Sequence, residues 1–453
     1  MGISELIVGP IYIALAILLL FLIRPYFTNP RNKPLFIPAF LCKIFGLLFF
    51  TSIYEFYYGG GDTFTYFEGA VVLADVFWDN PWVFIQGMFT DAADYSTPII
   101  PYIVGKIYYF RSTEEWAIIR LSGFLAIFSF KSYLGISTIM SLITFFGMWR
   151  LYNTLSREYP EVEKTFGIFI LFAPSTFFWG STLMKDTVAL CCTCYIASCV
   201  IDLVNGKGSW IKDSIIIFVA VRILLLLKVY LLICFVPAFG IWWIIRIRRE
   251  IKSLALKVLL VPFLILLVSG AIAVALVVIS AQSGDFNSVD RAEEALQGYH
   301  FDHGSRKDAS TYTLGEIEYT ALGILKKAPE SIIVTLFRPF PFEIRNVVML
   351  LASLESTIYL LFTIFVFAKR GAVSVVKNTF SNPLAGFSFV FTVILGFIVG
   401  LSSYNFGALV RFKIPLLPFY GAWLVWMYYL PKYEKRKSHL NKSSAKNGVF
   451  SGK

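Results

Sequence analysis

The stretch Glu5 to Arg24 reads ELIVGPIYIALAILLLFLIR, eighteen uncharged residues between one acid and one base. A helix needs about 20 apolar residues to cross a hydrocarbon core about 30 Å thick, and this run has that length. Comparable runs recur at 35–57, 133–154, 165–180, 186–204, 212–228, 230–246, 257–280, 345–368, 383–402 and 410–430. The sequence therefore predicts an all-α polytopic membrane protein of about eleven transmembrane helices, within a range of nine to thirteen. Composition points the same way. Of the 453 residues, 57% are hydrophobic and 15% charged, where a soluble domain carries about 25% charged residues. Mean hydropathy is +0.70. Too few polar side chains remain to cover a water-facing surface.

The net charge of +11 does not indicate nucleic acid. The excess sits in short loops and in the tail, as a topology signal does. Arg24, Arg31 and Lys33 follow the first run; Arg246, Arg248, Arg249, Lys252 and Lys257 separate the seventh from the eighth; Lys369, Arg370 and Lys377 follow the ninth. With an odd count these loops share the cytoplasmic side, leaving the N-terminus outside and the C-terminus inside. The opposite side receives two long loops, about 58–118 and 281–344. They hold eight acids against two bases and ten acids against six. Residues 1–430 read as one transmembrane domain, and 431–453 as a basic, disordered cytoplasmic tail. No cleavable signal is expected, since neither a basic n-region nor an A-x-A site precedes the first run. The stretch Trp116 to Phe130 is apolar but short and holds Arg120, so it reads as an interfacial or re-entrant helix. A tight hairpin is expected near Lys228. The CCTC run of Cys191, Cys192 and Cys194 reads as a buried helix face, and no metal site is assigned. His300 and His303, around Asp302, read as a solvated loop.

Charge inside a membrane segment costs about 2.5–3.5 kcal/mol on insertion scales and calls for a cavity or a partner. Four constellations meet that description. In YYGGGDTFTYFE (57–68) three glycines let the backbone turn sharply, and Asp62 then stands at the membrane surface with Glu68 six residues on. Asp62 fits either a helix N-cap or a general base that touches a ligand. In WGSTLMKD (179–186) Lys185 and Asp186 open a span; they serve as anchor and cap, or as an ion pair lining an outer cavity. In RPFPFEIR (338–345) Arg338, Glu343 and Arg345 gather where the second loop re-enters the membrane. Glu355 lies deeper, with Arg222 as its expected partner. In SSYNFGALVRFKIPLLP (402–418) Tyr404, Arg411 and Lys413 lead into the last span from outside. A basic pair on that side suggests an anionic ligand, and Arg suits bidentate phosphate binding.

These features together resemble the GT-C superfamily of polytopic membrane glycosyltransferases, which use lipid-phosphate-linked sugar donors. The resemblance rests on Asp62 in GGGDTFTYFEGA, the short segment near Trp116, the late outer loop, the STLMKD turn, and R-x-K-x-P-x-x-P at Arg411 to Pro418, similar to the R-Y-x-x-P pattern of bacterial members. The chain departs from the family in carrying a lone Asp where many members have an acidic pair, and in lacking a soluble C-terminal domain.

The resemblance implies Asp62, with Glu68 nearby, as catalytic carboxylate. It implies Arg411 at the donor phosphate; the charged constellations offer Lys413, Arg338, Arg345, Lys185, Asp186, Arg222 and Tyr404 as further candidates around the phosphate and substrate. The implied reaction moves a hexosyl or pentosyl group from a polyprenyl-phosphate-linked sugar to a glycan, lipid or protein acceptor. It takes place on the extracytoplasmic face of a bacterial inner membrane, with loop 281–344 closing over the acceptor. No cofactor is implied with certainty, and a divalent cation is left open. The alternatives are an O-antigen type polymerase or ligase using a lipid-diphosphate oligosaccharide and, with less support, a transporter or flippase. The chain has no internal repeat of the kind transporters often show.

Overall fold

The computed structural model describes residues 3–251, 311–315, 317–318 and 321–431. Among these the chain is helical, with one isolated bridge between Thr311 and Asn405. We label the helices used below α1 (Ile3–Phe27), α2 (Lys33–Ser52), α3 (Asp62–Asp79), α4 (Thr113–Phe128), α5 (Tyr133–Ser156), α6 (Lys185–Val204), α7 (Trp210–Leu227), α8 (Val229–Glu250), α9 (Ala328–Phe337), α10 (Val347–Arg370), α11 (Pro383–Ser402) and α12 (Phe406–Phe412), then α13 (Leu417–Pro431).

Among the described residues seven helices are long and apolar enough to cross a membrane, or eight if α12 and α13, bent by 68°, form one broken span. The other three expected spans differ. Segment 165–180 is two short helices, Glu163–Leu171 and Pro174–Trp179, broken at Ala173, whose extended backbone suits the residue before a proline. Segment 212–228 is α7, which carries Lys212, Asp213 and Arg222. Segment 257–280 lies outside the described residues. So do most of loop 281–344, including His300 and His303, and the tail from 432 on.

The spans differ widely in burial. Only 17% of α1 is buried, and its Leu6, Leu15 and Phe21 point outward. In α6 the figure is 83%, because Ala189, Cys192, Thr193, Ala197 and Ser198 let it press against α5, which contributes Gly135, Ser137, Ser141 and Gly147. Small residues at a helix interface are what a bilayer demands, since lipid gives no hydrophobic drive for helices to associate. Helix α4, 16 residues long, packs along α3 and contributes buried Trp116. Arg120 donates to the carbonyls of Met88 and Thr90 at 2.9 and 3.0 Å.

Charged groups gather at the two ends of the bundle. One end holds Arg24, Arg150, Arg157 and Arg246 with Asp202 and Asp213; Arg246 also reaches Asn205 at the foot of α6. The other holds Asp62, Lys185, Asp186, Lys228 and Arg411.

Candidate functional site

The site starts with the end of α2, which widens into a π-helical turn over Ile53–Tyr57. Such turns recur at functional positions because they displace the backbone that follows. Gly59, Gly60 and Gly61 then take φ of 68°, 153° and 143°, a region closed to most L-residues. A Cβ on Gly61 would also stand 2.7 Å from the Tyr54 ring. Gly61 occupies the N-cap position and Asp62 is the first residue of α3, with no side-chain cap hydrogen bond. The carboxylate is therefore not a helix cap. Its Oδ1 accepts from the Tyr109 hydroxyl at 3.4 Å, and its Oδ2 lies 3.6 Å from Arg411. Its side chain is 43% exposed. Burial, and after it the charge of Asp62, raise the Tyr109 hydroxyl above its ordinary value, so it stays protonated and donates.

Asp186 is the reverse case. It is 1% exposed and stands at the second position of α6, where the helix dipole favours an acid. Arg411 Nε donates to its Oδ2 at 3.1 Å, and Lys228 pairs with its Oδ1. Lys228 is the single residue joining α7 to α8, so the hairpin turns there and delivers its ammonium inward, 4.1 Å from the Phe412 ring centroid. The Arg411 guanidinium lies 5.6 Å from the Trp179 ring centroid. Lys185, adjacent to Asp186 but pointing elsewhere, reaches Glu114 and Glu115 on α4 at 2.7 Å each.

The turn before α6 is irregular backbone inside the bundle, so its carbonyls need donors. Lys43, buried midway along the second span, donates to the Gly180 carbonyl at 2.5 Å. Ser141 donates to Ser181 O at 2.6 Å and Thr63 to Leu183 O at 2.9 Å. Gly46 makes room for this segment, since a Cβ there would stand 2.0 Å from the Phe177 carbonyl oxygen. Asp186 is thus held by a turn that α2, α3 and α5 all pin.

Four residues singled out from the sequence meet here: Asp62, Lys185, Asp186 and Arg411. The others do not. Glu68 is exposed on α3, and among the described residues it has no ion pair or hydrogen bond. Arg338 pairs with Glu343 (Nε–Oε2 3.1 Å) and lies against the Tyr312 and Phe406 rings. Burial alone pushes the Glu343 carboxyl up, but Arg338 and the Phe340 amide together hold it below the ordinary glutamate value. Arg345 is exposed. Lys413 is buried on Ser356 Oγ (2.8 Å) and Arg338 O (3.1 Å). Tyr404 is buried with φ of 45°, its carbonyl accepting from Tyr312 N at 3.0 Å.

The expected Glu355–Arg222 pair is absent. Helix α7 buries Ala220, Leu224 and Leu227, and Arg222 is exposed on another face. Glu355 Oε2 instead accepts the Ser175 amide at 2.6 Å. Sequence reasoning also missed Lys43, Tyr109, Glu114 and Glu115. The one signal for Lys43 was a lysine in the middle of an apolar run.

In comparisons with known proteins the chain matches no family model, no curated protein and no solved structure.

Proposed function

We propose that the chain is a GT-C-like glycosyltransferase of about eleven spans that moves a sugar from a polyprenyl-phosphate donor to an extracytoplasmic acceptor. On this reading the membrane is a bacterial inner membrane, the Asp62 end faces outward and the Arg246 end faces the cytoplasm. The supporting observation is the pairing of Arg411 with two unlike carboxylates. Buried Asp186 fixes the guanidinium at 3.1 Å, and half-exposed Asp62 touches it at 3.6 Å.

A phosphate reaching Arg411 competes with Asp62 for the same guanidinium. The carboxylate it releases is then free to take the proton of an acceptor hydroxyl. The acceptor oxygen bonds to the sugar's anomeric carbon as the bond from that carbon to the phosphate oxygen breaks. The proton stays on Asp62 and the charge leaves with the polyprenyl phosphate, stabilised by Arg411 and Lys185. Because Asp186 is shared between Lys228 and Arg411, the cluster is neutral only with Asp62 in place, and displacing Asp62 leaves one positive charge for the donor phosphate.

The test uses protein reconstituted in liposomes with a polyprenyl-phosphate sugar, following both binding and transfer. Asp62→Asn is expected to abolish transfer and to bind the donor at least as tightly as the wild type. Full transfer by Asp62→Asn overturns the reading. So does a wild-type protein that binds neither polyprenyl phosphate nor its sugar conjugates.

A further inference from the structure

The end of the bundle opposite Asp62 holds a cavity of about 510 Å³. The length of the Lys33–Tyr57 span, about 35 Å, separates the two. Its lining includes Tyr26, Arg31, Asn32, Asn153, Arg157 and Glu163. Nothing in the proposed sugar transfer uses these residues.

Glu163 decides what the cavity suits. It is 7% exposed. Its Oε1 accepts from the Asn29 amide at 3.2 Å, and among the described residues no cation lies within ion-pair distance of it. A buried carboxylate without a counter-charge is unfavourable, and its place at the start of the Glu163–Leu171 helix offsets only part of that. The neighbouring guanidinium of Arg157 does not supply the charge, because it is held by Asp202 at 2.8 Å. The cavity floor therefore suits a compact cation with N–H donors. The rim offers the opposite charge: Arg31 is exposed and pairs with no carboxylate among the described residues. Beside it stands Tyr26, 86% exposed, at the end of the outward-facing helix α1. Aromatic side chains at that position mark the level of the lipid headgroups.

A ligand with an ammonium and a phosphate two carbons apart, held at the bilayer surface, satisfies all three features. We infer that this cavity binds the phosphoethanolamine headgroup of a membrane phospholipid, with the ammonium on Glu163 and the phosphate at Arg31. Phosphatidylcholine fits less well because its quaternary ammonium has no N–H to donate. Phosphatidylglycerol has no cation for Glu163.

The full chain in nanodiscs of phosphatidylethanolamine, phosphatidylcholine and phosphatidylglycerol, read by native mass spectrometry, tests this. The wild type is expected to retain phosphatidylethanolamine about tenfold over phosphatidylcholine, the preference that about 1.4 kcal/mol gives. Glu163→Gln is expected to lose that preference with its thermal unfolding unchanged. Arg31→Ala, at an exposed position, is expected to fold normally and to retain less of both phosphatidylethanolamine and phosphatidylglycerol. An equal preference in wild type and Glu163→Gln overturns the assignment, as does a wild type without any preference. Soluble O-phosphoethanolamine is expected to displace the lipid from the wild type. A wild type that binds O-phosphoethanolamine through Glu163 but retains no phosphatidylethanolamine from the nanodiscs would overturn the lipid as occupant and keep the site.

Discussion

Each end of the bundle holds an arginine between two aspartates, and α6 supplies one aspartate to each. Asp186 and Asp202 stand sixteen residues apart on that helix, about 24 Å along its axis. At the Asp202 end, Arg150 grips Asp213 with two hydrogen bonds of 2.8 and 2.9 Å and touches Asp202 at 3.4 Å. Asp213 also accepts the Ser209 amide at 3.0 Å. Asp202 accepts Thr154 at 3.2 Å and Arg157 at 2.8 Å. The acceptor oxygens are filled. At the Asp186 end the same chemistry is left incomplete. Asp186 is saturated by Lys228 and Arg411, but Asp62 has two long contacts, 3.4 and 3.6 Å, and faces water. A saturated ion network holds helices together. An unsaturated carboxylate beside a fixed guanidinium can exchange one partner for another, and that exchange is what a site requires.

The largest expected effect follows from this contrast. Asp62→Asn should lower sugar transfer by about 10²–10⁴-fold, the usual range for a general base, and leave thermal unfolding within about 0.5 kcal/mol of wild type. Asp213→Asn should do the reverse. It should destabilise the protein by about 3 kcal/mol, the low end for a broken buried pair, because Arg150 keeps Asp202 and is 23% exposed. Transfer per folded molecule should be unchanged. Unfolding midpoints paired with transfer by the folded fraction check both. If Asp62→Asn unfolds as easily as Asp213→Asn, the two ends are alike and Asp62 is structural.

Asp186 belongs to both categories. Asp186→Asn leaves Lys228 buried without a counter-charge, and a loss of about 3–5 kcal/mol is expected. Adding Lys228→Met removes the orphaned charge and packs the side chain against Phe412, so most of that stability should return. Transfer should stay low in the double variant, because Arg411 has lost the carboxylate that fixes it. Recovery of both properties together would show that Asp186 acts only by neutralising Lys228.

Much of the Asp62 end was legible because its parts are local: three glycines before an acid, a Lys-Asp pair opening an apolar run, and an Arg before Pro-rich apolar sequence. The pairings between those parts were not. Arg411 and Asp186 are 225 residues apart, and no periodicity reports contact over that distance. Lys228 looked like an oddity of a charged hairpin, because its meaning depends on Asp186 from another helix. Arg222 misled for a related reason. Helix α7 is apolar around most of its circumference, so the sequence does not say which face turns inward or whether a charge on it is buried. Hydropathy makes segment 165–180 one span, whereas Pro174 breaks it, and the turn that follows at 180–184 presents carbonyls that Lys43, Ser141 and Thr63 satisfy.

A smaller effect is expected from the turn that aims Asp62. Gly61→Ala forces a Cβ into a backbone conformation with φ of 143° and against the Tyr54 ring. Strain of this kind is worth about 1–3 kcal/mol. If the chain relaxes by shifting the start of α3, Asp62 moves away from Arg411, and transfer should fall more than stability does. Gly371→Ala is the control: its φ is 75° and nothing stands within 4 Å of the added Cβ. It lies beside Arg370, which binds the Tyr428 carbonyl away from the site, so it should lose similar stability and no transfer. Equal transfer losses in the two variants would mean that the glycine turn does not aim the carboxylate.

The smallest effect concerns Arg338 and Glu343, a pair between the two extremes, partly buried but with both partners engaged. The Glu343 carboxyl is held below its ordinary value near 4.5. The sign follows from linkage: stability from this pair is fully present above pH 4.5 and is lost as pH falls through the lower folded value. Glu343→Gln removes that dependence. Wild type and variant should differ in unfolding midpoint at pH 6, and the difference should narrow as the pH falls below 4.5, with the remaining acid sensitivity common to both. A constant gap across that range would mean that the pair contributes through packing against Tyr312 and Phe406 and not through charge. Arg338 would then belong with the filled network around Arg150, as a structural cation, while Arg411 keeps a partner it can exchange.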